Sequence, residues 1–179
     1  MNPESLARGQ AALARVTREL LAERTAEGHW IGELSSSALS TATAIVALKT
    51  VGATSDIPAL QRGLQWLAAN ANADGGWGDT VRSPSNLSTT ALVWAALGAA
   101  QADGEFARTV AGATGYIEKK AGSVAQLVPA IEARYGSDRT FSVPITMTLA
   151  LSGRLGADGW KRVRPLPFEL AALPRGLFG

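Results

Sequence analysis

The sequence contains no cysteine, which removes disulfides, thiolate zinc sites and thiol nucleophiles together. That leaves the compartment open, and a reducing cytoplasm is compatible with it. Histidine is nearly absent as well. His29 stands alone, and one imidazole without a cysteine partner does not build a metal site. We therefore expect no metal and no cofactor. Charge is sparse at 18% of residues, with a formal net charge of +2. The thirteen Arg and four Lys are scattered, apart from Lys161, Arg162 and Arg164. No basic stripe marks a nucleic-acid footprint, so no nucleic-acid partner is expected. The longest strongly apolar run, Ala91 to Ala102, is too short to span a bilayer. The opening MNPESLARGQ also lacks the apolar core of a signal peptide.

What is present is enough apolar material, 46% of 179 residues, for one folded domain with a core. The pattern is helical throughout. Leu6 to Arg24 carries an apolar stripe of Leu6, Leu13, Val16, Leu20 and Leu21, and Gly28-His29-Trp30 breaks it. Ala38 to Leu48 follows without a charge, as a buried helix would, with Ser35 to Ser37 offering N-caps. Asp56 is the expected N-cap of a second amphipathic helix, with Leu60, Leu64 and Leu67 on one face. Asn72 to Gly78 is read as a turn and Asn86 to Ala100 as a second uncharged helix. Beyond it, Glu105 to Lys120 and Val124 to Tyr135 are expected helices, the latter kinked or broken at Pro129. Phe141 to Leu151 is the third uncharged helix, with Pro144 in its first turn. After Gly153 the chain reads as irregular. We divide it into a helical repeat domain, 1–155, and an irregular Pro/aromatic/basic segment, 156–179.

Repetition is the main signal. Gly28-His29-Trp30 and Gly75-Gly76-Trp77 lie 47 residues apart, and Leu39-Ser40-Thr41 and Leu87-Ser88-Thr89 lie 48 apart. Phe141-Ser142 follows after 54. Charged outer helices alternating with uncharged inner ones describe an all-α, two-layered α/α toroid-type repeat of about three outer/inner pairs. A helix-pair solenoid would show a similar period, so periodicity alone does not decide closure.

Arg62-Gly63-Leu64-Gln65-Trp66-Leu67, followed by Gly75-Gly76-Trp77, resembles the QW repeat of the squalene–hopene and oxidosqualene cyclases, class II terpene cyclases. The pattern's Gln is the one departure, its place being held by Ala71. Arg15, Leu20, Gly28 and Trp30 form a degenerate earlier copy, with Arg24 at the Gln position. Gly32-Glu33-Leu34 and Pro167-Phe168-Glu169 are similar to further family segments. The resemblance covers nearly the whole chain but only the N-terminal portion of a typical cyclase. It implies half of an α/α6 barrel, in which Arg62, Gly63, Trp66, Leu67, Gly75, Trp77, Gly28 and Trp30 are structural.

The family's general acid is the middle Asp of a DxDD motif, kept protonated by burial. No DxDD occurs here, and Asn86-Leu87-Ser88-Thr89 occupies a similar place at the head of an inner helix. Nor is there a DDxxD cluster. Glu33, Asp79 and Asp138 each precede an inner helix, where capping is the plain reading. Glu33 is the outsider as a buried acid, because it falls in the family-like segment. Thr90, Trp94, Phe141, Thr146 and Met147 lie on inner helices, where they pack the core or line an apolar cavity or interface.

The resemblance thus implies a non-catalytic N-terminal region that serves triterpene or isoprenoid cyclisation only beside a DxDD-bearing domain. The alternative is a dimerising or lipid-binding half-barrel. The corresponding partners are a complementary cyclase domain, a second copy, or a hydrophobic isoprenoid ligand. A cytoplasmic setting is expected, with peripheral membrane contact through the tail from Trp160 to Phe178.

Overall fold

Helix formation follows the uncharged and amphipathic runs closely. The computed structural model describes residues 2–32, 34–165 and 172–174. Among them are seven α-helices and no strand: α1 (Pro3–Ala22), α2 (Ala38–Val51), α3 (Ile57–Ala69), α4 (Leu87–Ala99), α5 (Ala107–Ala121), α6 (Leu127–Tyr135) and α7 (Arg139–Leu151). Short 3₁₀ turns occupy Thr54–Asp56, Val124–Gln126 and Gly159–Arg162. The chain is therefore all-α, as expected. It forms two compact units, residues 1–35 and 36–179.

The first unit is α1 and its turn. Asn2 caps α1 by accepting from the Glu4 amide at 3.0 Å, and Pro3 occupies the first turn, where its missing N–H costs nothing. The helix ends at Ala22, two residues before Arg24. Arg24 pairs with Trp30 in an isolated antiparallel bridge instead of continuing the helix.

In the second unit the three helices built on the uncharged runs pack on one another. α4 lies between α2 and α7, and those two also meet each other. α3 packs on α2, α5 on α4 and α6 on α7. Charge explains which helix goes where. Every residue from Leu87 to Leu97 is buried, so α4 must be apolar or hydroxyl-bearing all round. Its three hydroxyl residues, Ser88, Thr89 and Thr90, cluster in the first turn, where each finds a partner. The amphipathic α3 and α5 bury one stripe each: Leu64 and Leu67 on α3, and Ala113, Tyr116 and Ile117 on α5.

The inner helices begin with real caps. Ser37 accepts from the Ser40 amide, Asn86 from Thr89 and Asp138 from Thr140. They start 49 and 52 residues apart, so the third copy departs from the 54-residue spacing. Two proline expectations change with this register. α7 starts at Arg139, two residues before Phe141, which moves Pro144 from the first turn into the helix interior. Pro129 lies in the first turn of α6, and the break falls before it, at the Val124–Gln126 turn. Asp56 stands before α3 without making a side-chain cap, because a 3₁₀ turn leads directly into that helix.

Candidate functional site

The turn between α3 and α4 sets the geometry. Trp77 is almost wholly buried, its indole Nε1 donates to the Leu67 carbonyl at 2.9 Å, and its amide donates to Thr90 Oγ1 at 3.0 Å. One residue thereby ties the end of an outer helix to the start of an inner one. Gly75 makes this possible with φ +81°, a conformation a side chain resists. A Cβ there would also come within 2.7 Å of the Gly112 carbonyl on α5. Arg62 is exposed, Gly63 and Trp66 are half-buried, and Leu67 is fully buried.

The first unit repeats the indole bond and the backbone bonds of this turn, without a counterpart to the Trp77 amide bond to Thr90. Trp30 Nε1 donates to the Leu20 carbonyl at 2.6 Å, and Gly28 has φ +88°. The Thr25 amide donates to His29 and the Gly28 amide to Thr25, as Asn72 does to Gly76 and Gly75 to Asn72. Arg24 adds a donation to the Gly28 carbonyl at 2.7 Å and lies over the Trp30 ring at 5.6 Å. Ala71, its counterpart, cannot reach the turn. There Asp74 braces it by accepting from the Gly76 amide at 3.1 Å and the Ser85 hydroxyl at 2.6 Å.

The chain matches a family model for the squalene-hopene cyclase N-terminal domain over residues 13–178. The chain belongs to that family. No curated protein matches it, and no solved structure does.

At the head of α4, Asp79, Asn86 and Thr89 are joined by hydrogen bonds. Asp79 Oδ1 accepts from Thr89 Oγ1 at 2.5 Å and from Asn86 Nδ2 at 2.8 Å. The Thr89 bond first, then the Asn86 bond, hold the Asp79 carboxyl below the usual aspartate range, with Arg134 adding to the effect. A general acid needs the opposite shift. Ser88 bonds the Tyr135 hydroxyl at 2.9 Å, and the Tyr135 ring stacks on Phe141 with centroids 5.7 Å apart.

Above this set an open apolar groove of about 470 Å³ runs between α2 and α7, floored by Leu92 of α4. Leu39, Phe141, Pro144 and Ile145 line it, with Asp79, Arg134 and Tyr135 at its polar end. A second trough of about 410 Å³, lined by Val46, Ala47, Val51 and Leu151, continues it; the two share Thr43 and Thr148. The seam between α2 and α7 is thus apolar and open along its length.

The cavity candidates separate on this geometry. Phe141 lines the groove and is 57% exposed. Thr90 is buried against Trp77, and Thr146 is buried with its hydroxyl donating to Ser142. Met147 is half-buried. Trp94 is buried beneath Arg154, whose guanidinium lies 4.3 Å from its ring, and its indole nitrogen has no partner among the described residues. Glu33 and the Pro167-Phe168-Glu169 segment lie outside the described residues. Asp138 caps α7. Leu39, Arg134 and Tyr135 were not singled out from sequence. Leu39 is the one of the three that carried a signal, standing two residues after the Ser37 cap in the Leu39-Ser40-Thr41 repeat.

Among the described residues, no group of three or more acidic or histidine side chains could hold a metal ion. Likewise, none of their helices is long and apolar enough to cross a membrane.

Proposed function

We propose that this chain is the non-catalytic N-terminal region of a squalene–hopene cyclase-like protein, acting in triterpene or isoprenoid cyclisation only with a DxDD-bearing domain. The observation that carries this reading is the open α2/α7 seam. Leu39, Val51, Phe141 and Leu151 stand 37%, 76%, 57% and 48% exposed on helices that are otherwise inner ones. A contiguous apolar face of this kind marks a surface that meets something else. Asp79 supports the non-catalytic part, since its carboxyl is stabilised as an anion rather than as a proton donor.

The test is turnover. Purified chain incubated with squalene should give no cyclised product, and product formation by the chain alone would overturn the reading. A second copy of the chain fits the same seam, because two sets of three pairs supply the six of a closed barrel. Light scattering separates these: a dimer favours the self-closing module. A monomer that binds no hydrophobic dye counts against an open seam altogether.

A further inference from the structure

The polar end of the apolar groove is shared with a second, more polar groove of about 500 Å³. Asp79, Asn86 and Arg134 belong to both. The second groove adds Lys120, whose ammonium lies 5.7 Å from the centre of the Tyr116 ring. We propose that this shared wall binds the anionic head of a single-chain amphiphile, with the apolar tail lying along Leu39, Leu92, Phe141 and Ile145. The inference goes beyond the partner reading, since it assigns a small-molecule class to one end of the seam.

Charge decides the sign of the head. The two grooves carry two cations, Lys120 and Arg134, against one anion, Asp79. Neither cation belongs to an ion pair among the described residues. Asp79 already accepts from Thr89 and Asn86, so its charge is engaged within the turn. An arriving carboxylate or phosphate would therefore meet donors, and charge-assisted bonds are the strong ones. Size and polarity decide the tail. A cavity of this volume falls in the small-ligand range, and apolar walls with a few convergent polar groups at one end suit an amphiphile held lengthwise.

The head could be carried by a free monomeric amphiphile or by a lipid in a bilayer, and the experiment separates the two. Calorimetry would titrate the chain with decyl phosphate below its micelle concentration, decanol, inorganic phosphate, decyltrimethylammonium, and vesicles containing an anionic phospholipid. Decyl phosphate should saturate at one per chain, with decanol and inorganic phosphate each weaker by about tenfold or more. The double variant K120A/R134Q should weaken decyl phosphate about tenfold and leave decanol unchanged, whereas F141S should weaken both. All three replaced side chains are exposed, and circular dichroism verifies that the variants fold.

Equal binding of decyltrimethylammonium, no effect of K120A/R134Q, or the absence of saturable monomer binding would each overturn the proposal. Binding confined to vesicles would do so too, because it assigns the charge to a membrane surface. Light scattering on the same samples reports the partner reading separately, so failure of one does not mimic failure of the other.

Discussion

Trp77 donates its indole proton to the carbonyl of Leu67, ten residues back, at 2.9 Å. The bond gives a second, shorter donor to a carbonyl in the last turn of α3 that otherwise accepts only from the Asn70 amide at 3.3 Å, while the ring fills the space beside it. Replacing Trp77 with Phe keeps most of the ring and removes this donor, leaving the Leu67 carbonyl with the Asn70 amide at 3.3 Å. We expect a loss of about 0.5–1.5 kcal/mol in urea unfolding. Trp77→Ala should cost about 3–5 kcal/mol, enough to prevent stable folding of a marginal domain. Equal costs for the two variants would mean that the hydrogen bond, not the ring, dominates.

Two glycines on the same chain should respond in opposite directions. Gly75 has φ +81° and lies against the Gly112 backbone, so Gly75→Ala combines strain with a clash at 2.7 Å. It should lower stability by about 1–3 kcal/mol. Gly115 is in α5 with open space where a Cβ would stand. Gly115→Ala should raise stability by about 0.5–1 kcal/mol, because alanine loses less backbone freedom on entering the helix. Thermal melts of the pair measure both signs.

Arg154 is the subject of a third prediction. It donates to both Asp103 oxygens, at 2.6 and 2.7 Å, donates to the Trp94 carbonyl at 2.9 Å, and covers the Trp94 ring. Its side chain is largely buried, whereas Asp103 is about half exposed. Arg154→Lys keeps the charge but loses the bidentate fork and the stacking, so it should cost nearly as much as Arg154→Met, about 2 kcal/mol. Full recovery of stability by lysine would show that charge alone matters here. Gly98 belongs to the same device, since a Cβ at that position would meet the guanidinium at 2.6 Å.

The layering was legible because composition is sorted by layer. α4 is buried on every side from Leu87 to Leu97, as its uncharged run implies, and Ser37, Asn86 and Asp138 cap as residues of their kind do. α2 and α7 depart from the expectation: each buries one face only, because no further helix among the described residues covers Leu39, Val51, Phe141 and Leu151. The two Gly/Trp turns were legible because glycine and tryptophan at fixed spacing leave few conformations to choose from. What escaped depends on contacts between distant segments. Nothing local to Gly112 announces that Gly75 packs against it. Tyr135 and Phe141 meet because Gly136, with φ +59°, reverses the chain between α6 and α7. Of the groove only Phe141 was legible, since its walls come from four helices and a loop.

Asp79 carries the last prediction, and its sign can be worked through. Hydrogen bonds from Thr89 and Asn86 lower its folded pKa below the ordinary 3.8. A carboxylate of this kind contributes stability that is complete above about pH 4 and is lost as pH falls through the lowered folded value. Asp74 and Asp138 are shifted in the same direction, so the whole domain should lose stability on the acid side. Thr89→Val keeps the shape of a fully buried side chain and removes the first-ranked donor. It should cost about 1 kcal/mol at neutral pH. The difference from the parent chain should shrink below about pH 4, as Asp79 takes up a proton in both. Urea midpoints measured from pH 7 down to the acid limb test this directly. A Thr89→Val deficit that persists unchanged into acid would assign the cost to packing, whereas convergence assigns it to the Asp79 carboxylate. The same titration bears on function, because a group that must be ionised to hold the head of α4 in place is poorly suited to protonating an alkene.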